Sequence, residues 1–254
     1  MKTSIKLTIL FWALSTTFTA CRKDPSPTPA APVVTGQLAI AITNTADSSI
    51  LALNQYYKDA NGDSISVSIF NYYISNIVLT TDSGKTFAET NSYHLVQQAV
   101  QGSGNFTIAN VPVGNYTSVS FLIGVDSLHN VSGAQTGQLD PVNGMFWDWN
   151  TGYIMAKMEG TASVSGSPRF FQLHIGGFSG QYSALRKVTI TLQQPVTVTN
   201  SGLVTAFMHA DAMSWFKTPH LINMSTFPST MSPNASSVLI ADNYANMFGV
   251  DSVK

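Results

Sequence analysis

The sequence predicts a mainly β protein, an antiparallel β-sandwich of immunoglobulin-like general architecture, with a long loop at 126–151 and a short C-terminal helix. Three observations carry this expectation. Apolar and polar residues alternate with a period of two through much of the chain, the pattern of strands that bury one face. Clusters of Gly, Asn, Asp and Pro separate the alternating runs. Helical spacing surfaces only near the C-terminus.

Leu38, Ile40 and Ile42 alternate with Ala39, Ala41 and Thr43, and Ile65, Val67 and Ile69 with Ser66 and Ser68. The clearest runs are Val119, Phe121, Ile123 and Val125, and then Val188, Ile190 and Leu192. Residues 72–80, 93–96, 106–109, 152–158, 170–175 and 203–208 complete about ten expected strands. Asn61-Gly62, Ser83-Gly84 and Val113-Gly114-Asn115 supply the turn chemistry between them. Asn234 is placed to cap a helix over 235–248, with Val238, Ala241, Ala245 and Phe248 on one face. Residues 126–151 show no strand period, and ordered loops of that length usually carry function.

The N-terminus reads as an export signal. Lys2 and Lys6 precede the apolar run 9–14 and small residues ending Thr19-Ala20-Cys21. The apolar run is shorter than the ~20 residues that span a bilayer. A small residue before cysteine resembles a lipobox, which gives residues 1–20 as a lipoprotein signal peptide and Cys21 as the lipidation site. Residues 21–36, with the run Pro-Ser-Pro-Thr-Pro-Ala-Ala-Pro, read as the lipidated cysteine and an extended tether. Residues 37–254 form the β-sandwich domain. The expected location is the outer membrane, on its periplasmic or cell-surface side, with a lipid anchor as the contact to the membrane. Cys21 is the only cysteine, so a disulfide within the chain is excluded.

The charged fraction is 10% and the net charge −1, without a basic cluster. Such a chain lacks the electrostatic footprint of a nucleic-acid binder. Asp59-Ala60-Asn61-Gly62-Asp63 opens like a calcium loop, but Phe70 stands where an EF-hand requires glutamate, so a hairpin turn is expected. Gly176-Gly177-Phe178-Ser179-Gly180 lacks nucleophile-elbow and phosphate-loop spacing and reads as a glycine-rich turn. Nucleophile, base and orienting acid do not occur together at a readable spacing, and the chain is expected not to be an enzyme.

Of the five histidines, His94 and His209 are assigned packing or surface roles, and His220 follows a proline in a variable-looking loop. In the strand over 170–175, Phe171, Leu173 and Ile175 claim the core face and leave His174 on the opposite one. His129 lies in the long loop beside Asp126 and Asn130. That loop ends Met145-Phe146-Trp147-Asp148-Trp149, whose aromatic density fits either pinning of the loop or a stacking surface.

Five ordered motifs then point to a family. They are Tyr72-Tyr73-Ile74-Ser75-Asn76-Ile77; Val125-Asp126-Ser127-Leu128-His129-Asn130; Met145-Phe146-Trp147-Asp148-Trp149 with Gly152-Tyr153; His174-Ile175-Gly176; and Ala241-Asp242-Asn243-Tyr244 with Met247-Phe248. Together they resemble the MbnP-like family of exported bacterial proteins, from about residue 37 to the C-terminus. The resemblance implies a β-rich domain that in copper-binding members holds copper through histidines and a tryptophan oxidised to kynurenine. It also implies a secreted di-haem cytochrome c peroxidase-like partner that performs the oxidation.

On this resemblance His174 matches the family's His-Ile-Gly position and is the first expected copper ligand. The family's second histidine follows the loop asparagine, where this chain has Val131 and places its histidine one residue earlier, at His129. Trp147 and Trp149 are the aromatics open to modification or ligation, and Met145, Met155 and Met158 are nearby thioethers that also suit plain core packing. The sequence thus leads to a lipid-anchored, extracytoplasmic, copper-binding protein. The alternative is a surface binding or adhesion module, for example for glycans, using Trp147, Trp149 and Tyr153.

Overall fold

A computed structural model describes residues 32–149, 152–164, 166–227 and 229–254, and Val33–Lys254 forms one compact unit. The signal segment, Cys21 and most of the tether lie outside the described residues. So do Asn150 and Thr151 at the end of the long loop.

Strands and helices follow in the order β1 (Thr35–Ala46), β2 (Ser49–Ile50), β3 (Tyr56–Lys58), β4 (Ser64–Thr81), β5 (Thr86–Ala88), β6 (Tyr93–Gln97), β7 (Asn105–Pro112) and β8 (Gly114–Ile123). Then come α1 (Ser127–Val131), β9 (Phe146–Trp147), β10 (Gly152–Val164), β11 (Ser167–Gly176), β12 (Arg186–Val198), β13 (Leu203–Asp211), β14 (Ser229–Thr230), α2 (Ala235–Tyr244) and β15 (Phe248–Val253). One sheet runs β15-β13-β1-β2, with β7 also on β1. The other runs β12-β8-β4-β10-β11-β14, with β3, β5 and β6 on β4 and β9 on β10. Among the described residues no helix is long and apolar enough to cross a membrane.

The two sheets form the expected sandwich. Phe248 of the first sheet meets Tyr72 and Phe121 of the second at ring-centroid distances of 5.6 and 5.0 Å. The buried Tyr72 hydroxyl donates to Asn44 Oδ1 across the same interior at 2.7 Å. Most pairings are antiparallel, but β1 and β13 pair in parallel, as do β11 and β14. The first strand opens at Thr35, so the last two residues of the stretch read as tether already belong to the sheet.

Three local expectations change. Residues 65–69 and 72–80, read as separate strands, are one eighteen-residue strand, β4. Tyr72, Tyr73 and Ile74 are buried consecutively, and a strand covered on both faces loses the alternation that marks its continuity. The C-terminal helix begins under its Asn234 cap, whose Oδ1 accepts from Ser237 N at 2.9 Å, but ends at Tyr244. Its buried positions are Ser237, Ile240, Ala241, Asn243 and Tyr244, and Phe248 starts β15 instead. Gly249 is a poor helix residue, and its missing side chain admits the His209 ring, which a Cβ would meet at 2.4 Å. Finally, the long loop is ordered by α1, two 3₁₀ turns (Gly137–Leu139 and Pro141–Asn143) and β9.

Because β4 is paired along both edges, its neighbours cannot retreat. Gly160 of β10 sits at a register shift against β4, where an added Cβ would lie 2.0 Å from the Ser66 carbonyl oxygen and 3.0 Å from Phe171 Cζ. Gly160→Ala is therefore expected to lower unfolding stability by about 1–3 kcal/mol, the usual cost of overpacking. Urea unfolding followed by circular dichroism measures it, and an unchanged midpoint would contradict the tight approach.

Candidate functional site around His174 and the long loop

His174 is positioned by the β10–β11 hairpin. It pairs directly with Lys157, while Glu159, two residues further along β10, pairs with Gln172. The three side chains therefore share one face, and His174 Nε2 lies 2.7 Å from Glu159 Oε1, with Lys157 Nζ 3.4 Å from the same oxygen. As the alternation predicts, this face is opposite the one that carries Leu173 and Ile175 into the core. The histidine is nevertheless buried.

The long loop packs two residues further along the same strand. Trp147 pairs with Gly152 across the β9–β10 hairpin, and its six-membered ring lies over Gly176, on the same face of β11 as His174. A Cβ at position 176 would meet Trp147 Cζ3 at 2.3 Å, so only glycine admits the indole here. Trp147 is itself buried, and its Nε1 has no hydrogen-bond partner. Trp149 stays 64% exposed with its ring 5.5 Å from that of Trp147. The loop is pinned at further points. Tyr153 Oη donates to Leu139 O at 2.7 Å, and Asn130 Oδ1 accepts from Tyr153 N at 2.8 Å. Met145, Met155 and Met158 are fully buried core residues, and Met155 Sδ accepts from Val125 N at 3.2 Å.

His129 belongs to a different cluster. Asp126 caps α1 by accepting from His129 N, and its carboxylate also accepts from Asn76 Nδ2 and the Tyr93 hydroxyl. His129 Nδ1 lies 2.5 Å from Tyr93 Oη and 3.2 Å from Asp126 Oδ1. No hydrogen bond or ring contact among the described residues joins His129 to His174. Asn130 is buried, with Nδ2 bonded to the carbonyls of Val125 and Asp126, whereas Val131 is 69% exposed.

Every histidine faces one carboxylate: His94 meets Glu89, His129 Asp126, His174 Glu159, His209 Asp251 and His220 Asp242. Pairing alone therefore singles out none of them. Burial does, because the His174 side chain is 7% exposed and the others range from 17 to 38%. Among the described residues no three His, Cys, Asp or Glu side chains gather closely enough to hold a metal. What fits a soft cation is thus one imidazole. Burial lowers the His174 pKa, with the Glu159 bond opposing and Lys157 assisting, so the ring is neutral near pH 7. Its second nitrogen makes no hydrogen bond among the described residues. Glu159 and Tyr93 escaped the sequence reading. The register of the 152–164 and 167–176 hairpin was the signal that could have found Glu159.

Fold and site define a class: a β-sandwich whose long aromatic loop packs on the strand that carries a buried, carboxylate-held histidine. A family model described as MbnP matches residues 35–232, and the chain belongs to the MbnP family. Among solved structures it is similar to MbnP from Methylosinus trichosporium, at 15% identity over 80% of this chain and 83% of that one, with a TM-score of 0.51. At that identity the likeness shows the fold. No curated protein matches the chain.

The carboxylates predict an acid limb. Burial alone would raise Asp126, but its bonds from Tyr93, His129 and Asn76 bring it from 3.8 down to about 2. A carboxylate with a depressed folded pKa contributes stability above its unfolded value and loses it as pH falls through the folded one. Asp126→Asn should therefore be less stable than wild type by on the order of 2 kcal/mol at pH 7. Urea titrations should show the gap closing between pH 3.8 and about 2. A pH-independent gap would refute the assignment.

Proposed function

We propose that this chain is an extracytoplasmic, lipid-anchored protein with a copper-related role, in which His174 supplies the imidazole ligand and Trp147 is the aromatic beside it. The observation that carries the reading is the placement of the buried Trp147 indole over Gly176, two residues beyond the most buried histidine. Family membership supports the copper relation, and Cys21 with the preceding signal supports the anchor. Bound copper would supply redox chemistry. The protein's part is to keep His174 neutral, to fix the ring through Glu159 and to exclude water with the loop. A carboxylate holding the remote nitrogen of a histidine is a common way to orient a metal ligand. The chain acts as a binding protein rather than an enzyme, and as a substrate for a di-haem cytochrome c peroxidase-like partner that oxidises Trp147 or its exposed neighbour Trp149.

A second reading rests on a cleft of about 380 Å³ walled by Trp147, Tyr153, Phe178, Tyr182 and Pro233. Its mixture of rings and backbone suits a small apolar or sugar ring. Copper titration against a chromogenic Cu(I) chelator separates the two readings. The copper reading expects His174→Ala to weaken Cu(I) binding by at least about tenfold, in keeping with the loss of a ligand or of its orientation. It also expects peroxide and the partner to produce the tryptophan-to-kynurenine mass gain, one oxygen added and one carbon lost as formate. Cu(I) binding no tighter than to an unrelated protein overturns it.

A further inference from the structure

The nine tyrosines of the chain differ in what their hydroxyls face. Those of Tyr57, Tyr72, Tyr73, Tyr116, Tyr153 and Tyr244 all donate to amide carbonyls, five to the backbone and Tyr72 to Asn44. An amide oxygen accepts a hydrogen bond but is too weak a base to keep a proton. Alone among the described tyrosines, Tyr93 presents its hydroxyl to two true bases, the Asp126 carboxylate and the His129 ring.

The proton count fixes the arrangement. One hydroxyl hydrogen cannot serve both partners, so Tyr93 donates to Asp126 and accepts from His129 Nδ1–H, which also lies within reach of Asp126 Oδ1. The carboxylate is held from other sides by Asn76 Nδ2 at 3.0 Å and by His129 N at 3.1 Å. The imidazole ring tilts over the phenol at a centroid distance of 4.3 Å. A polar recess of about 350 Å³, lined by Tyr93, His129, Asn91, Gln135 and Gln138 among others, opens onto the cluster.

Removing an electron from a phenol makes its hydroxyl a strong acid, so oxidation is easy only where a positioned base takes the proton in the same step. We propose that Tyr93 is a redox-active tyrosine that gives one electron to an external one-electron oxidant while its phenolic proton passes to Asp126. The O–H bond of Tyr93 breaks, an O–H bond forms on the carboxylate, the oxidant is reduced by one electron, and a neutral tyrosyl oxygen remains, hydrogen-bonded by His129. Re-reduction returns the proton along the same bond. The cluster is separate from His174 and requires no metal there, so failure of the copper reading leaves it standing.

The full chain, oxidised with hexachloroiridate(IV) and freeze-quenched, tests this by electron paramagnetic resonance. Wild type is expected to give a neutral tyrosyl signal that Tyr93→Phe abolishes and that Tyr56→Phe, altering an exposed tyrosine, leaves intact. Asp126→Asn, folded by circular dichroism, should cut the radical yield by at least about tenfold, a threshold set below the ~100-fold or more that a positioned acid–base partner typically contributes. A merely structural network would leave the yield unmoved. In wild type exchanged into D₂O, a strongly coupled deuteron from the His129 bond should appear in electron–nuclear double resonance, a readout that needs no variant. An unchanged radical in Tyr93→Phe, wild-type yield in Asp126→Asn, or no coupled deuteron would each overturn the proposal.

Discussion

The structure depends on the double pairing of one long strand. Tyr72 of β4 pairs with Ala156 on one edge and Val96 on the other, and Val78 pairs with both Ser120 and Ala88. One edge therefore carries β10 and then β8, and the opposite edge carries β3, β6 and β5 in turn. With both edges satisfied, β4 fixes the register of every strand that bears a functional side chain. His174 is held through β11 and β10, and Tyr93 through β6. Asp126 and His129 follow β8, and Asn76 of β4 reaches directly to the Asp126 carboxylate.

This frame explains how two chemically different centres coexist near one loop. α1 carries His129 outward to Tyr93, while the neighbouring Asn130 turns inward and bonds the backbone of Val125, Asp126 and Tyr153. The asparagine ties the loop to β10 whichever residue follows it. The exposed Val131 is therefore compatible with the same loop geometry that a histidine would occupy.

Much of this was legible in the chain. Alternation and turn signals located the strands of eight residues or more, with β4 read as two, Asn234 marked the start of α2, and the spacing of Phe171, Leu173 and Ile175 set the face of His174. The rest was hidden for identifiable reasons. Double burial erased the period across 72–75, so β4 looked like two strands. Phe248 continued a helical spacing, and only its neighbour Gly249 and the partner β13 make it a strand. The five histidine–carboxylate pairs span from three to forty-two residues of sequence separation, and a short-range reading sees few of them. His174 stands apart by burial, which the alternation of its own strand does not reveal, because that alternation puts it on the face opposite Leu173 and Ile175.

The parallel pairing of β1 with β13 bears on how the molecule is made. Gln37 lies opposite Leu203 and Thr45 opposite Asp211, so the first strand synthesised waits for nearly the last before its ladder can close. Closing so long a loop is entropically costly before any contact rewards it, and folds dominated by such distant pairings assemble slowly. The second sheet also has distant pairings, of β4 with β10 and of β8 with β12, but it contains local ones as well. Its hairpins β3–β4, β4–β5 and β10–β11 join strands that are neighbours in sequence, and they can form before β13 is made. A nascent chain of this design leaves one edge of β1 open until β13 has been made, while β7 can already occupy the other.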